Sequence, residues 1–188
     1  MRTVKKIALF MMLLATALAF ARKRDPLTDA ETDQLRHVAL EPEKRLKLYI
    51  KFTEARLDAI DQARGDAKQA DGRGQKIHDL LEDFTSLIDE INDNLDQYEG
   101  HSLDKDQVKQ FRKGLKEVIT AEDRFRARLR ALRHDAENDP QTRTESKDYM
   151  FALQDAEDAL KSSSDMAKQY SDEKNKEPNE EKPAGKKK

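Results

Sequence analysis

Apolar residues recur every three or four positions between Asp104 and Asp139, which is the pattern of a long helix that packs against other helices. Glu122 breaks this pattern once. The positions that form it are Val108, Phe111, Leu115, Val118, Phe125, Leu129 and Leu132. The sequence therefore predicts a helix with a single apolar seam of the coiled-coil kind.

Three other stretches show helical spacing of apolar residues. They predict a first long helix from Pro42 to about Arg64, a second from Ile77 to Tyr98, and a fourth from about Thr142 that weakens at the serines 162–164. Short turns between helices favour antiparallel neighbours. The predicted fold is therefore all-α: an antiparallel up-down four-helix bundle with coiled-coil-like packing over residues 42–170. Folding the second helix back on the third places Leu81 beside Glu122.

The segments on either side of this domain have different compositions. Residues 22–41 predict a leader with one short helix, capped by Thr28 or Asp29. Residues 171–188 contain no large apolar side chain, so a disordered charged tail is expected there.

Residues 1–21 have the layout of a secretory signal peptide. Arg2, Lys5 and Lys6 precede an apolar run, and small residues end it at Ala19 and Ala21, which predicts cleavage after Ala21. The alternative is an uncleaved anchor, but the run of about 14 residues is shorter than the ~20 that cross a bilayer. The expected location is periplasmic or secreted. Since the chain has no cysteine, a lipoprotein is not expected.

Charge and composition restrict the range of functions that can be expected of this chain. Charged residues make up 39% of the 188 residues and aromatic residues 6%, as is typical of a helical bundle. The net charge is −2, and it is more negative once the three basic residues of the predicted signal are removed. An acidic chain is unusual for a nucleic-acid-binding protein, so no nucleic-acid partner is expected.

Two polar residues occupy positions where the helical pattern calls for apolar side chains. Glu122 interrupts the seam of the third helix, and Asn94 occupies an inward position of the second. Either residue could contact a ligand, or could simply fix the register of the helices. A buried carboxylate also needs a partner or becomes neutral. Antiparallel folding brings His78 towards Glu122, which makes His78 the third candidate position.

Histidine spacing gives little support for a metal site. None of the four histidines has an acidic residue three positions before it, as di-iron bundles require, and there is no His-x-x-x-His pair. The spacing of His78 and Glu82 is that of an ordinary surface pair on a helix. No metal or other cofactor is therefore predicted.

A run of arginines lies in the second half of the third helix. It consists of Arg124, Arg126, Arg128, Arg130 and Arg133. Such a run could contact an anionic partner, or could pair with the acidic face of the second long helix.

The motifs of common enzymes are missing from the sequence. There is no Gly-x-Ser-x-Gly and no glycine-rich phosphate loop, so no catalytic residue and no enzymatic activity are predicted. The expected function is an exported, non-enzymatic helical bundle that binds a protein or envelope component as an adaptor, structural or holdase-like protein. The alternative is a ligand- or metal-binding bundle centred on Glu122 and His78. A homodimer could form through Ile119 and Phe151, which lie outside the main seam.

Overall fold

The computed structural model describes residues 25–66, 71–100, 102–140 and 142–176. These residues form six helices and confirm the all-α fold expected from the sequence. The helices are α1 (Asp29–His37), α2 (Pro42–Gly65), α3 (Arg73–Gly100), α4 (Lys105–Asn138), α5 (Arg143–Ser146) and α6 (Met150–Lys176).

Local capping sets the starts of these helices. Thr28 and Glu31 form a reciprocal capping box at α1, in which the Glu31 backbone N–H donates to Thr28 Oγ1 at 3.2 Å. Asp104 and Gln107 form the same arrangement at α4. Pro42 begins α2, where its missing N–H would have no partner in the helix. Each device satisfies or removes a backbone donor that the first helical turn leaves unpaired.

The four long helices alternate in direction, but consecutive helices are not always neighbours. α2 packs against α3 and α4, and α6 packs against the same two helices. α3 and α4 therefore lie diagonally across the bundle. The expected packing of the second long helix beside the third was wrong. The α2–α3 hairpin instead lies alongside the α4–α6 hairpin, so that α2 runs parallel to α4, and α3 to α6.

The core lies along the bundle axis and contains the predicted seam residues except Val108, which is half-buried. Leu115, Val118, Phe125 and Leu129 of α4 are each no more than 2% exposed. Aromatic rings cross the diagonal between α3 and α4: the ring centres of Phe84 and Phe125 are 5.8 Å apart at 81°. Tyr98 and Phe111 make a second such contact at 5.8 Å. Large rings thus connect the two helices whose backbones do not pack together.

A glycine allows α2 and α4 to approach closely. A Cβ atom added at Gly114 would lie 2.7 Å from Leu46 Cδ1 and 3.3 Å from Glu43 Cα. The second of these atoms belongs to the backbone of α2, so it cannot turn away as a side chain can. Gly114 therefore marks the contact between the two parallel helices.

The leader helix α1 is attached to the bundle. Leu35 is 4% exposed. Arg56 of α2 donates to both carboxylate oxygens of Glu31, at 2.7 and 2.8 Å, and to the carbonyl of Pro26 at 2.6 Å. Arg56 also lies 3.8 Å from Asp83 of α3. One guanidinium group thus connects α1, α2 and α3.

The C-terminal helix is longer than the sequence indicated. α6 continues to Lys176, so the first six residues of the predicted disordered tail are helical. Gln169 Nε2 donates to Glu173 Oε1 at 3.0 Å along this turn. A helix can extend beyond its packed seam because propagation needs only backbone bonds and suitable side chains. Residues 177–188 and the predicted signal peptide lie outside the described residues. None of the described helices has an apolar stretch that could cross a membrane.

Candidate functional site

Glu122 lies in a buried polar layer between α3, α4 and α6. Its side chain is on α4, and the residue is 2% exposed. Ser163 of α6 is fully buried, and its Oγ lies 2.6 Å from Glu122 Oε1 and 2.6 Å from Asn92 Oδ1 of α3. The serine hydroxyl has one proton and two neighbouring acceptors. Ser163 Oγ donates to Glu122 Oε1 and lies equally close to Asn92 Oδ1, so it connects the polar side chains of the three helices.

Burial raises the pKa of Glu122, because it removes water from the charged carboxylate. Hydrogen bonds from Ser163 and Ser164 act in the opposite direction, as does the positive charge of Arg126. The Arg126 guanidinium donates to Asp123 at 2.7 Å and to Ser164 Oγ, so it forms its ion pair with Asp123. The geometry around Glu122 is that of a hydrogen-bonded polar residue within the core.

Asn94 is also satisfied by neighbours within the bundle. Its Oδ1 accepts a hydrogen bond from Arg45 Nε of α2 at 2.6 Å. Its Nδ2 donates to the carbonyl of Glu90 at 2.6 Å. Arg45 also lies over the Tyr49 ring, 5.5 Å from its centre. Asn94 therefore helps to fix α2 against α3.

The structure does not bring His78 to Glu122. Ser163 places Glu122 at the level of Asn92, and Asn92 follows His78 by 14 residues on α3, which is about 21 Å along a helix. The predicted site centred on both residues therefore does not form. Among the described residues, a different group surrounds His78: ligand atoms of His78, Asp79 and Glu82 all lie within 4.8 Å of one another.

Three of the five arginines form ion pairs between helices. Arg124 lies 3.7 Å from Glu54 of α2. Arg128 lies 2.7 Å from Asp58 of α2. The pairing interpretation of the run is thus supported, but the partner helix was predicted wrongly, since α3 lies diagonally across from α4.

Arg133 makes the most extensive of these contacts. Its Nε donates to both carboxylate oxygens of Glu157 at 2.9 Å, and its Nη2 donates to Glu157 Oε2 at 2.6 Å and to Gln154 at 3.0 Å. These bonds join α4 to α6. Arg130 is exposed on the outer face of α4, and Arg124 is exposed as well.

The outer face of α4 carries a row of basic side chains, which we call the α4 basic stripe. It consists of the exposed residues Lys105, Lys109, Arg112 and Lys116. Their spacing of four, three and four places them on one side of the helix. α3 has the opposite character, because no lysine or arginine occurs from position 77 to position 100. Since α3 and α4 are diagonal, the bundle has a basic side and an acidic side.

Sequence reasoning missed the serines that surround Glu122. The run 162–164 read as a weak part of the last helix, yet Ser163 and Ser164 are 0% and 3% exposed. The signal in the sequence was that these serines lie at helical positions that can face Glu122, the residue that interrupts the apolar seam of the third long helix. Ser163 and Ser164 are the small polar side chains that a buried carboxyl needs as hydrogen-bond partners, whereas Ser162 is exposed.

No family model, no curated protein and no solved structure matches this chain.

Proposed function

We propose that this chain is an exported, non-enzymatic helical-bundle protein that binds an anionic protein or envelope component, in an adaptor, structural or holdase-like role. The observation that carries the proposal is the α4 basic stripe. The chain as a whole is acidic, so this concentration of positive charge is local. Local charge of one sign steers an oppositely charged partner to that surface.

The arrangement of ion pairs separates binding residues from structural ones. Arg124, Arg128 and Arg133 already have acidic partners on neighbouring helices. We therefore assign these arginines to stability. Lys109, Lys116 and Arg130 are exposed on the outer face of α4 and are the proposed contacts.

A role in surface binding is also consistent with the hydrogen bonding of the buried polar residues. Glu122 and Asn94 have hydrogen-bond partners within the bundle, so neither needs a ligand. The alternative of a ligand- or metal-binding protein keeps support only at His78, which is partly exposed and has two carboxylates nearby.

Charge reversal on one face tests the binding proposal. The triple variant Lys109→Glu, Lys116→Glu and Arg130→Glu would be compared with the wild-type chain by crosslinking in living cells and mass spectrometry. The expected result is one anionic component that is enriched with the wild type and lost with the variant. A partner that survives this reversal, or the absence of any enriched component, would overturn the proposal.

A matched control variant distinguishes the effect of charge on the α4 face from the effect of the net charge of the chain. Lys51→Glu, Lys161→Glu and Lys168→Glu produce the same change in charge at exposed positions on α2 and α6. This control should retain the partner. Equal loss from both triples would mean that overall charge, and not the α4 face, governs binding.

Export is proposed from the pattern in residues 1–21. The test is the N-terminal sequence of the protein recovered from the producing cell and its medium. A mature chain that begins at Arg22 outside the cytoplasm is expected. An intact N-terminus on intracellular protein would contradict it.

A further inference from the structure

We propose that His78, Asp79 and Glu82 bind a divalent transition-metal ion of the zinc kind on the outer side of α3. Each residue offers one ligand atom, and these atoms lie within 4.8 Å of one another. Imidazole nitrogen with carboxylate oxygen is a donor set that suits zinc. Three protein ligands leave a fourth position for water or for a group from another molecule.

The spacing of the ligand atoms is close to that of a bound site. His78 Nδ1 lies 3.6 Å from Asp79 Oδ1. Two ligands held about 2.1 Å from a tetrahedral ion are ~3.4 Å apart. This pair therefore needs to move by only a few tenths of an ångström. Glu82 is exposed, so its side chain can turn to complete the set.

A second observation comes from the histidine ring itself. Nδ1 of His78 is buried and has no hydrogen-bond partner among the described residues. A buried polar atom without a partner destabilises the folded state, because it has lost its hydrogen bonds to water. A cation held jointly by this nitrogen and the adjacent carboxylates would satisfy it.

The charge around the site favours a cation. No lysine or arginine occurs from position 77 to position 100 of α3, while the same segment contains eight acidic residues. The nearest basic residue of the helix is Lys76, two positions before His78. Lys76 is also three positions before Asp79, a spacing that places side chains on the same face, so the favourable charge comes from the acidic segment after it.

His134 provides a natural comparison within the same chain. It is also followed by an aspartate, and its Nδ1 lies 3.2 Å from Asp135 Oδ1. However, Asp135 already pairs with Arg64, and the residue four positions after His134 is Asn138, which donates to the His134 carbonyl at 2.7 Å. His134 thus lacks a counterpart of Glu82, the second carboxylate of the proposed site, and serves as the matched control.

Calorimetric titration with Zn²⁺ tests the site. The purified chain would carry no polyhistidine tag and would first be stripped of metal with a chelator. We expect one Zn²⁺ per chain, and affinity at least about tenfold lower in His78→Ala and in Glu82→Gln. His134→Ala should bind as the wild type does. Ca²⁺ should bind more weakly, because it needs six to eight oxygen ligands.

A second measurement depends neither on the heat of binding nor on whether the variant His78→Ala folds. The ring nitrogens of His78, followed by NMR, should shift on addition of Zn²⁺, while those of His134 stay in place. Glu82→Gln changes an exposed side chain, so it remains folded and tests the site by itself. Absence of saturable binding, or equal losses in His78→Ala and His134→Ala, would overturn the proposal.

Discussion

Gly114 offers a direct test of the arrangement in which α2 and α4 are neighbours. Alanine at this position would place a Cβ atom 2.7 Å from Leu46 Cδ1 and 3.3 Å from the backbone of Glu43. Leu46 is 0% exposed, so its side chain is confined by the core. The added methyl group would therefore push α2 away from α4 or force Leu46 out of its preferred conformation.

Two opposing effects set the size of the change in stability. Replacing a helical glycine by alanine stabilises a helix by about 1 kcal/mol. Overpacking a filled core costs about 1–3 kcal/mol. Gly114→Ala should thus leave the free energy of unfolding unchanged or lower it by up to ~2 kcal/mol. Ala127→Gly, at an exposed position of the same helix, measures the propensity effect alone and should cost about 1 kcal/mol.

Urea unfolding followed by circular dichroism would measure these differences, and a double-mutant cycle would identify the contact. Leu46→Ala alone should cost about 2–5 kcal/mol, because it leaves a cavity. In the Gly114→Ala background the same truncation also relieves the clash, so its cost should fall by ~1 kcal/mol or more.

Two results would show that α2 and α4 do not meet at Gly114. One is a Gly114→Ala variant that is more stable than the wild type by the full propensity gain. The other is additivity of the two substitutions within about 0.5 kcal/mol, as is usual for residues that do not touch.

Three further predictions follow from single contacts. The pKa of Glu122 is raised in the folded state, so the stability that this group contributes is complete below its unfolded pKa and is lost as pH rises through the folded pKa. In urea unfolding, Glu122→Gln should therefore gain on the wild type as pH rises above about 4, by ~1.4 kcal/mol for each unit of pKa elevation, and a pH-independent difference would contradict this. A hydrogen bond to Asp96 raises the pKa of Tyr170 to about 12; Asp96→Asn should lower it in an alkaline absorbance titration, and an unchanged curve would exclude the contact. The Arg73 guanidinium donates to Glu145 at 2.6–2.8 Å. In thermal unfolding, Arg73→Ala should therefore lower the free energy of unfolding by about 1–3 kcal/mol, and no loss would mean that the pair is not formed.

The helices themselves were predictable because their signals are local. Apolar spacing showed which side of each helix is buried, and proline and capping residues marked where helices begin. The start at Pro42 is an example, and the predicted seam residues of α4 are buried as expected except Val108, which is half-buried. Even the interruption at Glu122 was visible, since one carboxylate replaces an apolar residue in a regular series.

The candidate sites were only partly predictable, because their partners come from other helices. Glu122 was found by its position, but Ser163 lies 41 residues away and had no signal of its own beyond small size and polarity. Sequence reasoning interpreted His78 and Glu82 as an ordinary surface pair and did not single out Asp79. The distances among the three depend on side-chain conformations, which the spacing along the helix does not determine.

The sequence by itself determined the number of long helices, their buried faces and their alternating direction. Only the tertiary structure decided which helices are neighbours. A seam pattern shows that a face is covered but not by which helix, since all four seams are alike in period. The four-residue link from α3 to α4 reaches about 13–14 Å when extended. It can therefore span the ~11–14 Å diagonal of a bundle whose neighbouring axes are 8–10 Å apart. Other arrangements of the same four helices would differ in how their side chains pack. In the observed arrangement, the rings of Phe84 and Phe125 meet across the diagonal, and Gly114 allows α2 to approach α4.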